Sequence, residues 1–225
     1  FAIKAWHLNA GARDPTRYSK RIWKFVEGLK RSRVGKPRKL GVTPAMLRWI
    51  RAQLKAPGRK WGKDEAVLWA MLILAFFWML RAGEYLRCSA RDDERVLRGT
   101  SIDVKLHGVS TTGWCDELAI FLTKSKADQE GHGWSRSHFR ADSDLCPVEA
   151  LVMLAKLFPE RVWGGSESHL PLSRWQDGRW IRREEVQTLK SAAVAVGLPD
   201  ERFMTHSLRV CVCGVCTMSS TTLKS

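Results

Sequence analysis

Acid is nearly missing from the first quarter of this chain. Residues 1–63 carry two carboxylates, Asp14 and Glu27, against eighteen Lys and Arg, a net of +16, whereas residues 64–225 carry twenty basic and twenty-one acidic residues, a net of −1. A merely solvated face mixes signs, so a basic block of this kind, with Trp6, Trp23, Trp49 and Trp61 interleaved, points to a polyanion with a backbone to follow, that is, nucleic acid. Long apolar runs are missing too. The longest uncharged one, Ala66 to Leu80, has fifteen residues, short of the roughly 20 a membrane helix needs, and no membrane partner is expected. No Gly-rich loop suggests a nucleotide and no carboxylate cluster suggests a metal, so neither cofactor nor metal is expected. Of six cysteines, Cys88, Cys115 and Cys146 stand alone, as reduced thiols do. Cys211, Cys213 and Cys216 make a Cys-x-Cys-x-x-Cys without the paired second half that zinc sites use. Tyrosine is scarce, with Tyr18 and Tyr85 the only two. The first residue is Phe1 rather than Met, from which a fragment is expected; internal repeats and low-complexity segments are absent.

What is present reads as a mainly α chain with a small antiparallel sheet, an α+β class. Apolar residues at helical spacing (Ile3, Trp6, Ile22, Phe25, Val26, Leu29) make residues 1–30 helical, with a break at Gly11 and Asp14-Pro15. Residues 31–42 read as a basic linker suited to lie along phosphates. The cations expected to contact DNA are Lys20, Arg21, Lys24, Arg31, Arg33, Lys36, Arg38 and Lys39. Thr43-Pro44 opens a helix as N-cap and first helical residue, with Leu47, Ile50 and Leu54 as its stripe. Asp64 and Glu65 then sit at the positive end of the apolar helix through Leu80, with Arg81 in its last turn and Gly83 as its left-handed stop. Ser101–Lys105, Glu117–Thr123 and a weaker Ser137–Ala141 read as strands, and the polar stretch Lys124–Gly133 as a hairpin loop. Cys146-Pro147 starts a further helix, Asp177-Gly178 marks a tight turn, and one helix is expected over about Arg182 to Val196.

Four features carry chemistry. Arg81 ends a buried helix; Lys124 and Lys126 occupy the hairpin loop; His206 and Arg209 stand three apart, on one face if helical. Two arginines can fork onto non-bridging phosphate oxygens while a lysine or histidine handles protons.

This order resembles the catalytic domain of the tyrosine recombinases, the phage integrase family, and in particular the recombinases of DIRS-like and Crypton-like eukaryotic mobile elements. The resembling residues are Phe76 to Glu84 (FFWMLRAGE), Ser125-Lys126-Ala127-Asp128-Gln129 with Gly131 and Gly133, Leu145-Cys146-Pro147-Val148, and Thr205-His206-Ser207-Leu208-Arg209. The resemblance implies the end of a helical core-binding domain at 1–30, the linker at 31–42 and a recombinase-like catalytic domain over 43–209. The two domains would clamp duplex DNA, on which copies of the chain could assemble as a homo-oligomer, in the nucleus if the source is eukaryotic and otherwise in the cytoplasm with the nucleoid. It implies catalytic roles for Arg81 and Arg209 on the phosphate, for His206 in proton transfer, and for Lys126, with Lys124 as the alternative, in protonating the leaving 5′-oxygen. No cofactor is used in that family.

One part of the pattern is missing. The family's nucleophilic tyrosine should follow Arg209 by some tens of residues, but sixteen residues follow it here and none is tyrosine. The tail at 210–225, rich in cysteine and β-branched residues, departs from the family's helix as a truncated or frame-shifted copy would. A DNA-binding recombinase-type domain inactive in strand cleavage is therefore expected, with an active enzyme completed from elsewhere and a non-enzymatic duplex-binding module as the alternatives.

Overall fold

The computed structural model describes residues 2–14, 17, 20–32, 39–55, 57–58, 61–86, 95–111, 114–122 and 133–210. They belong to two compact units, Phe1–Arg38 and Lys39–Ser225.

The smaller unit holds two helices, α1 (Ala2–Asn9) and α2 (Lys20–Ser32). Gly11, with φ +70°, turns the chain out of α1. Apolar residues gather on one face of α2 and most of its charges on the other, and Arg21 and Lys24 are exposed, as are Ile22, Trp23, Phe25 and Leu29. Lys20 and Arg31 lie within α2. The helix thus runs on where the sequence suggested that a linker begins, while Arg33, Lys36 and Arg38 lie outside the described residues.

The larger unit is α+β: helices packed around one buried helix, with a four-stranded antiparallel sheet on one side. Residues 39–42, read as the end of the linker, are fastened to it instead. Lys39 Nζ donates to the Glu201 carbonyl at 2.6 Å, Leu40 N–H to Arg202 O at 3.0 Å and Val42 N–H to Ser207 O at 3.1 Å. Next comes α3 (Pro44–Leu54), where Thr43 caps the Met46 N–H at 3.3 Å with Pro44 at the first position, as the sequence predicts, and Met46, Leu47 and Ile50 face inward. The central helix is α4 (Lys63–Phe77), in which every residue from Ala66 to Phe76 is buried. A helix apolar all round has to be enclosed, and α3, α6 (Pro147–Leu157) and α8 (Ser207–Val210) pack against it.

The exit from α4 differs from the expectation. Trp78 is the C-cap, Met79 takes the left-handed conformation at φ 53°, and the Leu80 N–H returns to Ala75 O at 3.0 Å while the Met79 N–H reaches Phe76 O at 3.4 Å. This pair of bonds is a Schellman closure. Arg81 consequently stands not in the last turn of α4 but at the N-cap of a short helix, α5 (Ala82–Tyr85), and Gly83 lies inside α5. Holding Met79, a residue with a side chain, in this left-handed region costs about 1–2 kcal/mol, which the complete burial of Leu80 offsets, since enclosing such a side chain is worth roughly 1.5–3 kcal/mol.

The strands are β1 (Ile102–Leu106), β2 (Val109–Ser110), β3 (Glu117–Leu122) and β4 (Trp134–Phe139), ordered β2-β1-β3-β4 and all antiparallel. Opposed residues share a face, and Leu118, Ile120 and Leu122 of β3, all turned to the core, pair with His138, Arg136 and Trp134 of the edge strand β4. The edge strand therefore puts polar and aromatic groups where β3 puts aliphatic ones. Toward the C-terminus, the turn at Asp177-Gly178 is present, closed by Trp175 N–H to Arg179 O at 2.9 Å. The single helix expected over 182–196 is instead a 3-10 turn, Arg183–Glu185, followed by α7 (Thr188–Ala195). The break follows from Glu185, whose carboxylate accepts the Arg182 N–H at 2.7 Å, the Trp175 indole at 3.3 Å and the Arg179 guanidinium at 2.5 Å.

Candidate functional site

Three arginines from separate parts of the chain meet in one pocket of about 270 Å³, lined by Trp78, Met79, Arg81, Glu84, Trp134, Arg136 and Arg209. Its charged lining is three cations to one anion, a formal net of +2.

Each arginine is placed by a local device. Arg81 follows the left-handed turn at Met79 and is held by Glu84, whose Oε2 accepts the Arg81 N–H at 2.7 Å and whose Oε1 accepts from Arg81 Nη1 at 2.9 Å. Glu84 is 4% exposed, so both of its oxygens are committed to Arg81 and its charge serves to fix that side chain. Arg209 sits in α8, just beyond a turn that is tied down three times. Ser207 Oγ accepts the Met204 N–H at 3.1 Å, Ser207 O accepts the Val42 N–H, and the Tyr85 hydroxyl donates to Thr205 O at 3.2 Å. Because Tyr85 belongs to α5, that last bond links the helix opened by Arg81 to the turn that presents Arg209. Arg136 comes from β4, its carbonyl accepting the Trp78 indole N–H at 2.8 Å and its guanidinium 5.8 Å from the Trp134 ring centre. Neither Arg136 nor Arg209 forms an ion pair with any described residue, and both side chains are open to an anion from outside.

His206 lies differently from the expectation. It precedes α8 rather than sharing a helical face with Arg209, it is exposed, and it is not part of the pocket lining, although its carbonyl accepts the Arg209 N–H at 3.1 Å. Lys124 and Lys126 lie outside the described residues. The described strands on either side of them end at Leu122 and begin at Trp134, and Trp134 lines the pocket. Sequence reasoning missed Arg136 and Trp134. The one signal was the alternation of Trp134, Arg136 and His138 along a strand whose inner face should be apolar.

His138 braces the same wall. Its Nε2 lies 3.1 Å from Phe77 O and its ring packs edge-on against Trp78, centroids 4.4 Å apart. Burial pushes its pKa below the ordinary 6.5, with the Arg136 charge adding to the effect against the opposing bond to Phe77. The unfolded chain takes up this proton more readily than the folded one. The stability His138 contributes is therefore present above pH 6.5 and is lost as the pH falls through the lowered folded value. The thermal midpoint should drop between about pH 7 and 5, and His138→Gln should flatten that part of the profile; an unchanged profile in the variant would contradict the assignment.

Among the described residues, no three His, Cys, Asp or Glu side chains gather as a metal site would need, and no helix is long and apolar enough to cross a membrane. Cys115 and Cys146 are free and buried. No family model, curated protein or solved structure matches this chain.

Proposed function

We propose that this chain is a duplex-DNA-binding domain of the tyrosine-recombinase type, holding one backbone phosphate between Arg81 and Arg209. The observation that carries the reading is that these two arginines, distant in sequence, line one net-positive pocket. Forked guanidinium groups suit the non-bridging oxygens of a phosphodiester. By the same resemblance, Lys126 or Lys124 would protonate a leaving oxygen, and His206 would assist once DNA draws it toward the site. The basic block of residues 1–63 supplies the sequence-independent part of the grip, and assembly of further copies on DNA belongs to this reading.

A second reading, a duplex-binding module that does not cut, is favoured by Tyr85, which is fully buried with its hydroxyl already donated.

The test is binding of a 30-base-pair duplex followed by fluorescence anisotropy. Arg209→Ala should weaken binding by about tenfold to a hundredfold, the worth of a hydrogen-bonded charge contact, without unfolding the chain, because Arg209 leaves no carboxylate behind. Arg81→Ala strands the buried Glu84 and threatens the fold, so Arg81→Lys is the better companion, keeping the charge while losing the fork. Should the wild-type chain ignore duplex DNA, or should both variants bind as tightly as it does, the proposal is wrong.

A further inference from the structure

We infer that Arg136, seated on Trp134, is a third phosphate-gripping arginine that takes the phosphodiester flanking the one held by Arg81 and Arg209; this rests on the DNA-binding reading above. Arg136 points from the inner face of an edge strand, opposite Ile120, yet it is exposed where Arg81 and Arg209 are half-buried. It therefore stands at the pocket mouth, where a neighbouring backbone phosphate would arrive.

Arg136 is held ready rather than left loose. The Trp78 indole fixes its carbonyl, and Trp78 is the cap of α4, next to the Met79 turn that delivers Arg81. Both arginines are thus referred to the same few residues, and their spacing is set by the fold. The guanidinium lies within the roughly 6 Å over which an indole face attracts a cation, which restrains a long side chain before any ligand binds and lowers the entropy cost of using it.

Its charge is also unspent. Glu84, the one acid in the pocket, is consumed by Arg81, and Arg136 pairs with no described carboxylate. The cavity, at about 270 Å³, is smaller than the roughly 300–1,000 Å³ of pockets that enclose whole small molecules. A segment of a longer polyanion, entering and leaving through the open side, fits that size and that charge.

The experiment measures affinity of the full 225-residue chain for a 30-base-pair duplex across a salt series, for wild type, R136A, R136K, W134A and the control K190A, an exposed lysine of α7. Removing one phosphate-binding cation should weaken binding on any sequence and lower the log–log salt slope by about one. R136A should do both, R136K should recover the slope but not the full affinity, and K190A should leave both unchanged. W134A should weaken binding, and R136A added to it should cost less than R136A alone, because the ring acts through the guanidinium. Unaltered circular dichroism of R136A separates these effects from misfolding. If wild type binds and R209A weakens it while R136A keeps wild-type affinity and slope, this inference alone is overturned. If wild type does not bind the duplex, the DNA-binding reading and this inference fall together.

Discussion

Raising the salt from about 50 to about 200 mM is expected to weaken the chain's hold on duplex DNA by roughly 10³–10⁵, the loss that six to ten phosphate contacts produce through counterion uptake. The expectation rests on the eighteen basic and two acidic residues of positions 1–63. The two structural units say where to cut. Residues 39–42 are hydrogen-bonded to the larger unit and its core begins at Val42, so removal of residues 1–38 leaves that core whole. The segment removed holds eleven basic residues against two acidic ones, 11 − 2 = +9 of the +16. The shortened chain should therefore lose the larger part of the salt slope while its pocket still binds weakly. A shortened chain with the wild-type slope would show that the basic block does not touch DNA.

The parts of the fold that were legible are those where one local force dominates. Fifteen uncharged residues leave α4 no option but burial, Thr43-Pro44 combines a side-chain cap with a preset φ, and Asp177-Gly178 closes a turn because Gly178 takes φ +83°. The misreadings came where tertiary packing overrode a local preference. Gly83 looked like the residue to end α4, but full burial of Leu80 demanded an earlier turn, and Met79 accepted the left-handed conformation. β2 went unseen because its hairpin turns on His107 and Gly108, both with positive φ, rather than on the Asn-Gly or Asp-Gly that usually announces such a turn.

The site was half legible for a related reason. Arg81 stands out because it follows directly on an apolar run that must be buried, so the core has to deliver it somewhere, and Arg209 stands out by its spacing of three from His206. Arg136 carries no such mark. It lies in WSRSHF, a segment too polar to read as an inner strand, and its position follows only from its register opposite Ile120 and the bond from Trp78. Neither can be inferred from spacing along the chain. The His206–Arg209 pair shows the converse error: the spacing was right for a helix, but the helix begins one residue too late to include His206.

Incubated with a nicked suicide duplex, which traps a covalent intermediate, residues 1–225 are expected to give no protein–DNA adduct. Adduct formation needs a phenolic oxygen in line with the leaving 5′-oxygen, and in phosphoryl transfer positioning is most of the catalysis. Tyr85 cannot supply it: the side chain is 0% exposed and its hydroxyl is bound to Thr205 O at 3.2 Å, in the contact that joins α5 to the turn before α8. Freeing that hydroxyl would loosen the very elements that present Arg81 and Arg209. Tyr18 lies outside the described residues, at a position that matches no nucleophile in the family the chain resembles, and the sixteen residues after Arg209 contain no tyrosine. On the proposed reading three arginines bind and polarise the phosphate but supply no nucleophile, so hydrolysis should be slow as well. Appending a helix with an appropriately placed tyrosine should produce a denaturation-resistant band, and Arg209→Ala in that extended chain should remove it again. A band from the unextended chain that disappears in Tyr18→Phe or Tyr85→Phe would make that tyrosine the nucleophile and overturn this account of the site.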